Sequence, residues 1–263
     1  MKFLFIVLVM AVAAFAGNVQ DNVGDYTGIT SGPGGGAGGW DYPEAILFDN
    51  GPFVTGAGAG SGGADISELG SGESTYGFGF QFSTGNMMAD QFEIPTGESW
   101  TIEGITTFGY QTGSGTSSTI TGVYLSIWDD PPDTGTLVYG DQAVNVMTST
   151  DWSNCYRVSN GQATNTDRPV MANVCEFTDL YLTEGEYWLV VQLNGSGSSG
   201  PWSNPVTITG QSSTGDAIQY TSTGWAPAVM GTSGGGIGLP FILDGFLGSA
   251  LERSSWAGIK TSF

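Results

Sequence analysis

Apolar and polar side chains alternate with a period of two along much of the chain. Between residues 123 and 128, Val, Leu and Ile alternate with Tyr, Ser and Trp, and residues 187–193 repeat the pattern. This period is typical of a β-strand that buries one face. Stretches rich in Thr, aromatic and β-branched residues predict further strands at 78–82, 87–94, 101–110, 136–147, 204–209, 216–222 and 239–247.

Turn-forming sequences rich in Gly, Pro and Asp separate the predicted strands. They are Pro95–Gly97, Thr112–Gly115, Pro131–Gly135, Thr183–Gly185 and Asn194–Gly197. After the first 16 residues, no stretch carries the apolar stripe of an amphipathic helix. Many short strands with regular turns predict an all-β fold, an antiparallel β-sandwich with jelly-roll-like topology. The Gly-rich tracts have no fixed period, so a solenoid is the weaker alternative.

The first 16 residues have the three parts of a secretory signal peptide. Lys2 supplies the positive charge, residues 3–15 are apolar, and an A-x-A cleavage site ends at Ala16, before Gly17. The apolar run is shorter than the roughly 20 residues of a membrane span, and no later stretch is long or apolar enough to be one. We therefore expect a secreted protein, extracellular or at the cell surface. The predicted organisation is a signal peptide at 1–16, a flexible Gly-rich lead-in at 17–40, a β-sandwich domain at 41–248 and a C-terminal tail at 249–263.

The charge balance excludes several classes of function. The chain has 25 Asp and Glu against five Lys and Arg, no His, and a net charge of -20. Without His there is no Ser–His or Cys–His nucleophile pair and no imidazole metal ligand. Without a basic patch there is nothing to neutralise phosphates, so nucleic acid is not an expected partner. The sequence therefore predicts a protein that is not an enzyme and does not bind nucleic acid.

The two cysteines, Cys155 and Cys175, predict a disulfide, because an exported protein meets an oxidising environment. Strand-like sequences surround both residues, with a polar segment between them. A hairpin centred near Asn165 would place the two cysteines opposite each other. The alternative is a reactive thiol or a metal-binding pair, and two Cys without His make a poor metal site.

An Asp-rich turn is the best candidate for a metal site. Asp129, Asp130 and Asp133 lie in this turn, and Asp141 follows downstream. Calcium takes several oxygen ligands, which irregular loops between strands supply well. The pattern is not that of an EF-hand loop. The alternative is a solvated turn, in which Asp and Pro are favoured for backbone reasons, and no other cofactor is expected.

Three tryptophans, Trp152, Trp202 and Trp225, lie in polar, turn-rich contexts and are candidates for stacking on sugar rings. Large aromatic side chains also pack into the core or edges of a sheet, which is the alternative. A glycoside hydrolase would need two carboxylates facing each other about 5–10 Å apart. The glutamates in or beside predicted strands are Glu98, Glu103, Glu176 and Glu186, and we expect all four on solvated faces.

Several stretches between residues 88 and 247 follow one another in a characteristic order. They are Ala89–Ile102, Phe108–Ser114, Leu125–Pro132, Tyr156–Val158, Arg168–Val170, Gly185–Leu189, Gly200–Trp202 and Leu239–Gly245. In order and spacing they resemble an uncharacterised β-sandwich module of bacterial secreted and surface proteins. The resemblance implies an extracellular β-sandwich and carries over no catalytic residue.

The C-terminal residues Leu251–Phe263 resemble short tails ending in Ser-Trp-Gly-x-Ile-Lys on secreted bacterial proteins. This resemblance implies a sorting or attachment tag, and the alternative is a final strand or a docked tail.

Together these features predict a secreted or surface-displayed, non-enzymatic structural or adhesive module. The alternative is a carbohydrate-binding module stabilised by calcium, and a secreted hydrolase is third. The expected partner is an extracellular or cell-surface component, which includes glycans. Few lysines are available to block exposed strand edges, so the sequence also allows self-association.

Overall fold

A computed structural model of the protein describes residues 40–248, which form strands joined by turns and loops. The strands are β1 Ile46–Asp49, β2 Asp65–Glu68, β3 Phe78–Gly79, β4 Met87–Tyr110, β5 Ile120–Trp128, β6 Leu137–Gly140, β7 Met147–Val158, β8 Pro169–Gly195, β9 Trp202–Ser203, β10 Ile218–Thr221, β11 Gly224–Pro227 and β12 Phe241–Gly248. Ser61–Gly63 and Phe82–Thr84 form single turns of 3-10 helix. The predicted all-β class is therefore confirmed. Within residues 40–248, no helix has the length and apolarity needed to cross a membrane.

The predicted signal peptide, the lead-in up to residue 39 and the C-terminal tail lie outside the described residues.

One hydrogen-bonded sheet joins the twelve strands. Its main path has the order β1-β12-β4-β8-β5-β6, and the other strands branch from β4 and β8. Neighbouring strands are antiparallel, except that β2 runs parallel to β7. Because the hydrogen-bonded network is continuous, the structure shows one large sheet, and a two-layer sandwich with jelly-roll topology stays a prediction.

The two longest strands, β4 and β8, pair along most of their length and contain two of the predicted turns. Ile94 pairs with Gly185, and pairing resumes at Ser99 with Thr183. Pro95–Gly97 and Thr183–Gly185 therefore lie at one shared irregularity, where the backbone N–H of Gly97 donates to Glu184 Oε2 at 2.5 Å. The prediction that strands end at these two turns was wrong, because β4 and β8 stay paired with each other on both sides of the turns.

Other predicted strands are shorter or absent. The stretch 78–82 contains only the two residues of β3, and 216–222 contains the four residues of β10. The stretch 136–147 contains the four residues of β6 and, at its end, the first residue of β7. Between them, Asp141 Oδ1 accepts a hydrogen bond from the backbone N–H of Ala143 and closes a turn. The stretch 204–209 is not a strand. Its backbone N–H groups donate instead to loop carbonyls, Val206 to Gly238 and Thr207 to Pro52. Composition indicated strand there, but loop contacts satisfy this backbone.

Apolar side chains cover both faces of the central part of the sheet. Along β12, Phe241 and Leu243 enter a larger buried cluster and Ile242 enters a smaller one on the opposite face. β4 contributes Phe92 to the larger cluster and Phe108 to the smaller. A strand that is buried on both faces has a continuous apolar sequence rather than an alternating one. This accounts for the three consecutive apolar residues 241–243 at the start of β12.

The predicted disulfide between Cys155 and Cys175 is wrong, because both cysteines are free and buried. β7 and β8 do pair, but Cys155 lies opposite Val170 and Cys175 lies opposite Met147. The five positions between residues 170 and 175 correspond to about 17 Å of strand, whereas a disulfide needs Cα atoms within about 7 Å. A register shift between residues 152 and 155 contains Asn154, whose φ of 58° lies in the left-handed region. The shift adds to the mismatch but does not cause it, because the pairs Tyr156–Pro169 and Cys155–Val170 already centre the hairpin between residues 162 and 163 rather than at Asn165.

Candidate functional site

A cleft of about 420 Å³ lies between residues 81–86 and residues 194–202. The first segment includes the 3-10 turn after β3, and the second connects β8 to β9. Neither segment contains a charged residue. The lining of the cleft is therefore uncharged, although the chain has a net charge of -20.

Gln81 organises one wall of the cleft. Its side chain is only 7 % exposed, and its Oε1 accepts a hydrogen bond from Asn86 Nδ2 at 2.9 Å. Its backbone carbonyl accepts from the N–H groups of Thr84 and Asn86, at 3.2 and 3.1 Å, which closes the turn. The carbonyl of Asn86 accepts in turn from Gln192 Nε2 of β8 at 2.9 Å. This wall is therefore fixed to the sheet before any ligand arrives.

Gln111 holds the opposite wall. Its buried amide exchanges two hydrogen bonds with the backbone of Gly197, one to the carbonyl at 3.1 Å and one from the N–H at 2.9 Å. A Cβ at Gly195 would lie 2.4 Å from Gln111 Oε1, so the loop can approach this closely only without a side chain there.

Trp202 lies at the end of this loop, where its Nε1 donates to Ser199 Oγ at 3.3 Å. Residue 202 pairs with Gly79 of β3 and Tyr110 of β4, so strands flank the backbone that carries the indole on both sides.

Several polar groups on the cleft wall make no hydrogen bond within residues 40–248. Gln81 uses its carbonyl oxygen but not its Nε2, and Asn86 uses its Nδ2 but not its Oδ1. The side-chain amide of Asn194 and the hydroxyls of Ser83 and Ser198 also have no side-chain hydrogen bond to described residues. The cleft thus presents donors and acceptors together, without charge.

The three predicted sugar-stacking tryptophans do not come together, and only Trp202 lines the cleft. The ring of Trp152 packs against Tyr156 with centroids 5.1 Å apart. Trp225 contacts Tyr220 edge-to-face at 5.4 Å. The assignment of these residues to a ligand stays a prediction.

The four predicted calcium ligands do not converge in the structure. Asp129 Oδ1 accepts from the backbone N–H of Thr136 at 2.6 Å, while Asp130 and Asp133 are exposed. Asp141 closes its own turn, as described above. Across residues 40–248, no group of three or more His, Cys, Asp or Glu side chains is placed to hold a metal ion. Calcium binding therefore stays a prediction, and the contacts that these carboxylates make are those of ordinary turns.

The four glutamates considered for hydrolysis lie outside the cleft lining. Glu103 and Glu176 lie near Asp244, whose pKa is raised by burial first and then by these two negative charges. Glu98 Oε2 accepts a hydrogen bond from Trp100 Nε1 at 3.1 Å. None of these carboxylates is brought to the groups that line the cleft.

Two buried ionisable side chains away from the cleft lining were missed in the sequence. Burial raises the pKa of Asp90 to about 7 and lowers the pKa of Arg157 to about 10. The guanidinium of Arg157 donates to neutral acceptors, among them Ser67 Oγ and Thr207 Oγ1, both at 2.9 Å. The cleft amides were missed as well, because Asn and Gln in polar, Gly-rich segments are indistinguishable from ordinary loop residues until the segments are brought together.

The chain matches no protein-family model, no curated protein and no solved structure with which it was compared.

Proposed function

We propose that this chain is an exported, non-enzymatic adhesive module that binds an extracellular or cell-surface component. The observation that carries the proposal is the cleft between residues 81–86 and 194–202, which is preformed and uncharged. Such a site can hold a ligand through hydrogen bonds and packing. Its lining has the hydroxyls of Ser83, Thr84 and Ser198 but no carboxylate, amine or imidazole to take up a proton from them, and no thiol.

Features of the sequence support a location outside the cell. The signal peptide and the resemblance of residues 88–247 to a bacterial surface module support export, and the acidic surface supports solubility outside the cell. The resemblance of the C-terminal tail supports attachment to a cell surface.

Carbohydrate binding is the second candidate, and one observation favours it. Trp202, which the sequence predicted as a sugar-stacking residue, is the one of the three candidate tryptophans that lines the cleft. Aromatic faces combined with amides and hydroxyls suit neutral, polyhydroxylated ligands.

A retention assay tests the proposal. Residues 17–263 would be incubated with insoluble bacterial cell-wall and exopolysaccharide preparations, and bound protein, soluble sugar and soluble peptide would be measured. We expect saturable retention with no release of sugar or peptide. Release of either product would show a hydrolase, and absence of retention on every preparation would contradict an adhesive role.

A further inference from the structure

We infer that the cleft is a binding site for a neutral saccharide, with Trp202 as its stacking wall and the amides of Gln81, Asn86 and Asn194 as its hydroxyl-binding groups. The inference rests on the proposed adhesive function and names the ligand class and the residues that hold it.

The strongest observation is the open hydrogen-bond donor of Gln81. The side chain lines the cleft and is 7 % exposed, its Oε1 is occupied by Asn86, and its Nε2 has no acceptor within residues 40–248. The Nε2 atom itself is not enclosed by protein, unlike the buried polar atoms elsewhere that have no partner. It is therefore a fixed donor that solvent reaches and that a ligand in the cleft can engage.

The other open groups complement this donor. Asn86 Oδ1 is an acceptor with no partner in the described part of the chain, Asn194 offers both a donor and an acceptor, and Ser83 and Ser198 add hydroxyls. A sugar hydroxyl donates one hydrogen bond and accepts others, so it needs donors and acceptors side by side. These residues provide both from two walls of the cleft.

The absence of charge in the lining selects against ionic ligands. An anion would find no cation among residues 81–86 and 194–202, and it would approach a protein with a net charge of -20. A cation would find no carboxylate in these segments. A ligand held by amides and hydroxyls alone is accordingly a neutral one.

The size of the cleft and the placement of Trp202 also fit a sugar. About 420 Å³ lies within the range of roughly 300–1,000 Å³ that is usual for small-molecule sites. The hydrogen bond from Trp202 Nε1 to Ser199 Oγ, at 3.3 Å, orients the indole. A Cβ at Gly200 would lie 2.7 Å from Trp202 Cδ1, so the chain passes close to the ring. An indole that is held in place in this way can contact the C–H groups of a pyranose at little cost in side-chain entropy.

The test is an array of neutral and acidic oligosaccharides, followed by calorimetric titration of the wild type and variants with the best neutral glycan found. Asn194→Ala is the cleanest variant, because this side chain makes no hydrogen bond to described residues that folding would lose. We expect unchanged melting temperature and about tenfold weaker binding for Asn194→Ala, and at least tenfold weaker binding for Trp202→Ala. Trp225→Ala is the matched control, a half-buried tryptophan outside the cleft lining, and should bind as the wild type does.

The possible outcomes separate this inference from the proposed function. Wild-type affinity in folded Asn194→Ala and Trp202→Ala proteins would overturn the cleft as the site. Equal or tighter binding of acidic glycans would overturn the neutral ligand class. Retention on cell-surface material without any glycan binding would leave the adhesive function standing and refute the saccharide site. Absence of both would refute the two together.

Discussion

Asp90 provides a quantitative test of the electrostatics inside the sheet. Its carboxylate lies on β4 and is 3 % exposed. Oδ2 accepts hydrogen bonds from Asn50 Nδ2 and from the backbone N–H of Leu239, both at 2.7 Å, and Oδ1 accepts from the N–H of Gln91 at 2.9 Å. The side chain thus connects β4 to the residues that follow β1 and precede β12. The perturbation is a change of pH, compared between the wild type and Asp90→Asn.

The magnitude follows from the shift in pKa. Burial raises the pKa of Asp90 from 3.8 to about 7, and the negative charge of Asp216 acts in the same direction, while the hydrogen bonds from Leu239 and Gln91 oppose it. Between these two pKa values the folded protein keeps a proton that the unfolded chain has released. Each pH unit in this window then lowers the free energy of unfolding by about 1.4 kcal/mol. The stabilisation is fully present below the unfolded pKa and is lost as the pH rises to about 7, a fall of about 4 kcal/mol in total.

Urea unfolding at intervals from pH 4 to pH 8 measures this contribution. The free energy of the wild type minus that of Asp90→Asn isolates residue 90 from the other carboxylates, and we expect this difference to fall by about 4 kcal/mol as the pH rises. Asp216→Asn is the control, because removing the neighbouring charge should lower the pKa of Asp90 and reduce the fall. Parallel pH profiles for the wild type and Asp90→Asn would refute the reasoning.

The other predictions concern the thiols, the packing of the sheet and the Asp-rich turn. Burial raises the pKa of both cysteines, so native protein should react slowly with iodoacetamide at pH 8, unfolded protein should show two free thiols, and dithiothreitol should not change the melting temperature; a reductant-induced drop would indicate a disulfide. Gly109→Ala places a Cβ 2.8 Å from Leu193 Cδ1 and Phe80 Cζ and should cost about 1–3 kcal/mol in chemical denaturation, whereas a cost near zero would mean that these side chains can move aside. Asp129→Ala removes the acceptor that closes its turn and should cost about 1 kcal/mol without calcium. A calcium-dependent rise in melting temperature that disappears in Asp129→Ala with Asp133→Ala would establish the predicted metal site, and no shift with calcium in the wild type would retire it.

Period-two alternation predicted two central strands well. Residues 123–128 fall within β5, and residues 187–193 fall within β8. These two stretches also pair with each other, Leu125 opposite Val191 and Ile127 opposite Leu189. Local sequence succeeds here because β-branched and aromatic side chains favour a strand whatever its partner is, although residues 187–193 are buried on both faces. It fails at residues 204–209, where the same residue types have their backbone groups bonded to distant loops.

Register and turn geometry were not readable from the sequence. The turn sequences near Gly97 and Gly185 are good local turns, yet they form one irregularity between two strands that continue past it. The cysteines lie on neighbouring strands as predicted, but the hairpin is centred between residues 162 and 163, so Cys155 lies opposite Val170 and not opposite Cys175. Each of these features depends on which residue of a partner strand lies opposite, and that choice is made by long-range packing.

By itself, the amino-acid sequence determined the all-β class, because strand periodicity, turn chemistry and the lack of helical stripes are local properties. It also determined the lack of histidine and the acidic charge that limit the available chemistry. Only the tertiary structure decided that Gln81, Asn86 and Asn194 lie with Trp202 around one cleft. More than 100 positions of sequence separate Asn86 from Asn194. None of the four residues has a charge or lies in a motif that would identify it as part of a binding site. They meet because pairing of the strands brings two polar loops together, and several of their hydrogen-bonding groups have no partner among residues 40–248.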